Sequence, residues 1–283
     1  WGGPSKNRKG GSLRGTSCPY ADKSSVVVSG GDKIYTIDFK KHALISVLQW
    51  DEGGKLLESC PASEAVAYLK AGNLYVSRGL KQWQLSHDGS RQIVYGQSVH
   101  RDEFGIRKGT FWSPDGMRLA FYRMDQSMVT DYPQVNIPEI GFNHPETQSC
   151  MATAAPDKYP MAGETSHKVT VGVFDLSTGK TVYLKAGDPT DRYFTNIAWS
   201  PDGASIYMFE LNRDQNDCRL TCYDALTGEK KGELYRETDA KYVEPQHPIL
   251  FLPWDSSQFI MQSRKDGYNH LYLCTIGKHG SRM

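Results

Sequence analysis

Short runs in which apolar and polar residues alternate recur along this chain: KIYTID, AVAYL, NLYVS, RLAFYR, VTVGVFDL, KTVYL, SIYMFEL, RLTCYDA, QFIMQS and HLYLCTI. A period of two is what a strand with one buried face requires, and apolar patterns of helical period are nearly absent. Turn signals such as LSTGK, LTGEK and KAGN separate the runs. The pattern predicts a large, antiparallel, all-β protein.

Internal repetition narrows the architecture. WSPDGMRLAFYR at 112–123 is echoed by WSPDGASIYMFE at 199–210, with weaker echoes in SCPASEAVAYL at 59–69 and FLPWDSSQFIMQS at 251–263. The prolines that mark these turns, Pro61, Pro114, Pro201 and Pro253, are 53, 87 and 52 residues apart. A four-stranded propeller blade takes about 40–50 residues, so two intervals fit one blade each and the middle one carries an excess. A second repeat, VFDLSTGKTVYL and CYDALTGEKKGEL, has the form of a blade's outer hairpin. The fold class read from this is a β-propeller of four-stranded antiparallel blades. About four or five blades are accounted for, either a small closed ring or an arc of a larger one, since closed propellers have between four and eight. Residues 1–24 have loop composition and are assigned to an irregular, flexible segment. Residues 25–283 are assigned to the propeller, with an irregular insertion near 138–158.

Composition then excludes several functions. Lys and Arg number 33 against 32 Asp and Glu. Nucleic acid is therefore not expected as a partner, because phosphate binding needs a basic excess. No apolar run reaches the ~20 residues of a membrane-spanning helix, and the start, WGGPSKNRKGGSLRGTS, lacks the apolar stretch of a secretion signal. The six cysteines are scattered. Cys218 and Cys222 would stand about 13 Å apart on a regular strand, too far for a disulfide, so separate free thiols are expected. Trp112 and Trp199 are assigned to the packing between blades, and RKDGYNH at 264–270 to a hairpin turn. Arg123 and Asp125 either pair with each other or shape a cavity floor.

The chemistry search is mostly negative. The chain holds no G-x-S-x-G nucleophile elbow, no H-E-x-x-H metal spacing and no phosphate loop. No catalytic residue, metal ligand or cofactor is therefore assigned. One stretch stands out: HRDEFGI at 100–106, which sets Asp102 and Glu103 in a loop of about ten residues between two strands, longer than a hairpin requires. Loops of that kind meet ligands in propellers, and a partly desolvated carboxylate there would hold an ammonium group firmly. The plainer reading is that both acids pair at the surface with Arg101, Arg107 or Lys108. The pattern alone leaves both open.

The run IVYGQSVHRDEFGIRKGTFWSPDGMRLAFYRMDQSMVTDYPQV resembles the N-terminal propeller of dipeptidyl peptidase IV-type serine exopeptidases, closest to the dipeptidyl and prolyl tripeptidyl peptidases of Bacteroidetes. The similarity continues through KYPMAGETSHKVTVGVFDLSTGKTVYL, TNIAWSPDG, ELNRDQNDCRLTCYDALTG, YVEPQHPILFLP and SRKDGYNHLYL, covering roughly residues 60–276. The resemblance implies part of an irregular eight-bladed propeller that caps a C-terminal α/β-hydrolase domain holding the Ser, Asp and His of a triad. That domain is absent from this chain. The resemblance further implies a peptide partner with a free amino terminus and proline near it, no cofactor, a periplasmic or cell-surface home and room for a homodimer. Glu103 matches the acidic residue that holds the substrate's amino terminus, and Asp102 stands where some relatives carry a second glutamate. The alternative from another class is a non-catalytic periplasmic propeller that serves as a protein-interaction module. A self-contained propeller glycosidase would instead need paired carboxylates converging in the central channel.

Overall fold

The computed structural model describes residues 24–137, 151–277 and 280–282. The expectations for residues 1–23 and for 138–150 lie outside the described residues. The strands fall into successive antiparallel sheets. The first contains β1 (Ser25–Gly30), β2 (Lys33–Asp38) and β3 (Ala43–Gln49). The second contains β4 (Lys55–Cys60), β5 (Ala65–Lys70), β6 (Asn73–Arg78) and β7 (Lys81–Gln84) in that order.

The third sheet departs from this regularity. Its first position is shared by β8 (Ile93–Tyr95) and β9 (Thr110–Trp112), both paired with the same side of β10 (Arg118–Asp125). After β10 the chain leaves the sheet in a narrow ladder. In it, β11 (Asp131–Tyr132) and β12 (Val135–Asn136) pair with β14 (Asp157–Lys158) and β13 (Thr153–Ala154) respectively. The chain then returns as β15 (Lys168–Asp175) and β16 (Lys180–Tyr183), which complete the sheet. This ladder accounts for the long middle spacing of the proline markers. Its pairing starts at Asp131, and residues 153–154 and 157–158, inside the insertion read near 138–158, form its returning strands.

The fourth sheet runs in sequence order through β17 (Arg192–Trp199), β18 (Ser205–Asn212), β19 (Asp217–Asp224) and β20 (Lys230–Thr238). The fifth does the same through β21 (Leu250–Leu252), β22 (Asp255–Ser263), β23 (His270–Gly277) and β24 (Gly280–Arg282). Consecutive sheets touch, β3 against β5 and β6, β6 against β8, β15 against β17, and β20 against β24. Among the described residues the sheets do not close on themselves, so the architecture is an incomplete β-propeller.

The sequence repeats correspond to one turn built twice. In the first WSPDG, the Asp115 carboxylate accepts from Ser113 Oγ at 2.5 Å and from the Met117 N–H at 3.0 Å, while Ser113 Oγ accepts the Arg118 N–H. In the second, Asp202 and Ser200 make the same contacts with Ala204 and Ser205. The outer hairpins also match: Asp175 caps the Ser177 and Thr178 N–H groups, and Asp224 caps Leu226 and Thr227. Short polar side chains that bond the backbone two or three residues on are what makes these turns sequence-encoded.

Each core cluster straddles neighbouring sheets, because a sheet cannot bury both of its faces alone. Ile34, Leu48, Val66 and Tyr68 join the first two sheets, and Leu74, Val76, Leu119, Phe121 and Phe174 join the second to the third. The largest cluster joins the last three sheets through Val171, Phe194, Ile206, Met208, Leu220 and Phe259. Trp199 packs at the edge of that cluster and donates its indole N–H to the Phe111 carbonyl of the preceding sheet at 3.0 Å. Trp112 packs against the cluster between the second and third sheets. The four described cysteines, Cys60, Cys218, Cys222 and Cys274, are free and buried.

Candidate functional site

The loop that carries Asp102 and Glu103 is an interruption within one strand position rather than a link between neighbouring strands. β8 ends and β9 begins beside the same residue of β10: the Gly96 N–H donates to the Tyr122 carbonyl at 2.8 Å, and the Tyr122 N–H donates to the Gly109 carbonyl at 2.9 Å. The two loop limbs leave through a narrow neck. A Cβ on Gly109 would lie 2.0 Å from the Gln97 carbonyl oxygen, so only glycine fits there.

Beyond the neck the backbone is strained. His100, Arg101 and Asp102 follow one another with φ of 54, 59 and 63°, and Phe104 has 57°. For residues with a Cβ such conformations cost about 1–3 kcal/mol each and persist only where packing over-determines them. Here the packing comes from Val99, Phe104 and Ile106, all buried in the largest core cluster. With Phe104 and Ile106 turned inward, Glu103 between them and the left-handed turn is turned out, and its side chain is exposed.

Glu103 lines a cavity of about 270 Å³ with His100, Arg101, Tyr159, His167, Tyr193 and Arg213. The walls come from the 159–167 segment before β15, the start of β17 and the β18–β19 turn. Asp102 is exposed and does not line this cavity. The surface-pairing alternative fails for two of the three basic neighbours. Arg101 pairs with Asp157 at 2.7 Å and covers the Tyr159 ring at 5.1 Å, and Lys108 pairs with Glu58 at 2.6 Å. Among the described residues neither Glu103 nor Asp102 takes part in an ion pair or side-chain hydrogen bond, and Arg107 makes no ion pair. A second cleft of about 300 Å³, between the fourth and fifth sheets, contains the carboxylate of Glu237. That group already accepts from Ser263 Oγ at 2.6 Å and from the Tyr235 hydroxyl at 3.0 Å. In the first cavity the Glu103 carboxylate has no such partner among the described residues.

Two histidines support the loop from below. The Phe194 N–H donates to His100 Nε2 at 3.2 Å, which leaves the ring proton on Nδ1, and Nδ1 donates to His167 Nε2 at 2.8 Å. Both rings are therefore neutral, and they stack with centroids 5.0 Å apart. Burial pushes His100 well below the ordinary histidine range, and the neighbouring His167 pushes it in the same direction. Burial, helped by the Arg213 and Arg101 charges, lowers His167 to about 4. Burial also raises the Tyr193 phenol; Arg213 opposes that rise and the Glu103 charge adds to it.

The comparisons with known proteins cover nearly the whole chain. The family described as the dipeptidyl peptidase IV (DPP IV) N-terminal region matches residues 21–282. The chain belongs to this family. A solved structure from Bacteroides ovatus, assigned as a dipeptidyl aminopeptidase IV, is 49% identical with a TM-score of 0.79, covering 91% of this chain and 34% of that one. Dipeptidyl peptidase 4 of Porphyromonas gingivalis shares the fold at 21% identity and a TM-score of 0.69, over 94% of this chain and 37% of that one. The assigned dipeptidyl-aminopeptidase B of Phaeosphaeria nodorum is 28% identical over 75% of this chain. The chain spans about a quarter of the length of that relative, 25%.

Within this DPP IV-type region, sequence reading missed His100, His167, Tyr193 and Arg213 as parts of the site. They come from four separate segments and share no local motif; the LNRDQND turn that carries Arg213 reads only as a polar hairpin. Arg123 and Asp125 do not pair with each other. Arg123 bonds Tyr95 and Asp88, and Asp125 accepts from Ser127. No group of His, Cys, Asp and Glu able to hold a metal occurs among the described residues.

Gly105 fixes the position of the loop tip against the approach to the fifth sheet. Its φ is 71°, and a Cβ there would lie 2.1 Å from the Gln246 carbonyl oxygen. Gly105→Ala is expected to cost about 1–3 kcal/mol locally and to displace Glu103. In the intact protein this reads out as a fall of about ten-fold or more in kcat/KM on free-amine peptides, with a small change in Tm. An unchanged kcat/KM would show that the loop tip can shift without consequence.

Proposed function

We propose that this chain is the substrate-anchoring propeller portion of a proline-directed serine exopeptidase, with Glu103 holding the free amino terminus of the peptide. The observation that carries the reading is one carboxylate, unengaged among the described residues, raised on a strained loop inserted into a strand and facing a cavity. A carboxylate in that position favours an ammonium group because a charge-assisted hydrogen bond gains strength as water is excluded. The catalytic Ser, Asp and His would belong to a hydrolase domain of the same protein, outside this chain. Family membership and the length of the relatives support that arrangement.

The physical role follows from geometry. An anchor at a fixed distance from a nucleophile counts the residues between the ammonium and the bond that is cut. Binding energy gained far from the reacting carbonyl is thereby used for positioning. A blocked amino terminus leaves Glu103 without its partner and is rejected. Asp102 is assigned a lesser part, since it stands beside the anchor but outside the cavity. The same reading carries a periplasmic or cell-surface location.

The test is product analysis with the intact protein. Peptides with proline near a free amino terminus are expected to release dipeptides or tripeptides from that end alone, detected by mass spectrometry. Cleavage at internal prolines with no preference for the terminus would contradict the anchor.

A further inference from the structure

The Glu103 cavity holds a second charged group whose bonding is incomplete. Arg213 lies in the turn between β18 and β19, and its Nη2 donates to the Glu164 carbonyl at 3.2 Å. Its Nη1 is buried and has no hydrogen-bond partner among the described residues. A buried guanidinium nitrogen left in that state keeps an unspent hydrogen-bonding capacity, and bonds to charged groups are among the strong ones. Glu103 and Arg213 line one cavity without forming an ion pair within 4.0 Å. A gap between an anionic and a cationic wall therefore separates them.

The charges of the cavity indicate what fills that gap. Arg101 is balanced by Asp157, and His100 and His167 share a hydrogen bond as neutral rings. When a peptide ammonium neutralises Glu103, the charge of Arg213 is left unbalanced. The side chain of that same first residue leaves the carbon next to the ammonium, so it enters the cavity beside Glu103. We propose that Arg213 is a specificity-determining residue that binds an acidic side chain on the first residue of the peptide, selecting Glu or Asp there. The proposal rests on the assignment of Glu103 as the ammonium anchor.

The test uses the intact protein and three chromogenic substrates, Glu-Pro, Gln-Pro and Leu-Pro amides with free amino termini. Wild type is expected to favour Glu-Pro over Leu-Pro by about 10- to 100-fold in kcat/KM, with Gln-Pro between them. Arg213→Met is expected to abolish that preference, with the loss in kcat/KM falling most heavily on Glu-Pro. Arg213→Lys keeps the charge and is expected to retain part of the preference. Rising salt is expected to shrink the Glu over Leu ratio of wild type, a reading that needs no variant.

Glu103→Gln separates the two claims, because it is expected to lower all three substrates alike and leave their ratio intact. A wild-type enzyme indifferent to the first residue, with Glu103→Gln still impaired, would overturn the role of Arg213 and leave that of Glu103 standing. An equal loss on all three substrates in Arg213→Met would likewise overturn it, showing a structural role. If Glu103→Gln leaves every substrate untouched, the anchor falls and the Arg213 proposal with it.

Discussion

Replacing Glu103 by Gln in the intact protein is expected to lower kcat/KM for free-amine Xaa-Pro substrates by roughly 30- to several-thousand-fold. The substitution keeps size and hydrogen-bonding shape but removes the charge. Losing one partner of a desolvated charge pair costs about 2–5 kcal/mol, much of it from leaving the other charge unpaired. The substrate ammonium would then sit against a neutral amide, in a cavity whose remaining formal charge comes from arginine. Reaction with a small serine-directed probe, which has no amino terminus to anchor, is expected to stay nearly constant. That contrast separates a binding defect from damage to the nucleophile. The loop should hold its shape in the variant, since its backbone is fixed by Val99, Phe104 and Ile106 and not by the Glu103 side chain.

The second large effect concerns acid. The folded protein holds His167 near 4, against 6.5 for an ordinary histidine. As pH falls between those values, the unfolded chain takes up a proton that the folded chain refuses. Stability is therefore intact above about pH 6.5 and is lost progressively toward pH 4. The gap corresponds to about 3 kcal/mol. His100 shifts in the same direction through its own burial. The carboxylates of Asp217 and Asp224, held down to about 2 by Arg236 and by the Thr227 N–H respectively, lose their contribution at lower pH and do not mask the histidine window. Urea unfolding from pH 7.5 to 4 is expected to show this decline in wild type and a shallower one in His167→Gln. An identical slope in the two proteins would remove the histidine pair from the account.

Local chemistry explains why the sheets could be read in the sequence and the site only in part. The strands announce themselves by alternation, and WSPDG and STGK or TGEK announce their turns because Asp and Ser bond backbone groups two to five residues away. Everything needed is within a few residues. Glu103 could be singled out because its loop is too long for a hairpin and because its surroundings resemble a known propeller. That β8 and β9 share one strand position was not legible, since it depends on which side of β10 each half pairs with. The His100–His167 bond spans 67 residues, and the return of Arg213 to the same cavity depends on the packing of the fourth sheet against the third. The same holds for Arg101, whose proximity to Asp102 and Glu103 in sequence suggested a surface pair but whose left-handed backbone turns it toward Asp157. A three-residue reversal of backbone hand has no signature in the residues His-Arg-Asp, so the direction in which each of these side chains points had to come from the structure.

The central claim is that Glu103 recognises the free amino terminus, and discrimination between matched peptides tests it most directly. Each peptide is presented once with a free amine and once N-acetylated, to wild type and to Glu103→Gln. Wild type is expected to favour the free amine by about 30-fold or more, and the variant to lose most of that preference by slowing on the free-amine peptide alone. A preference of the same size in both proteins would contradict the account, because the amino terminus would then be recognised by something other than Glu103.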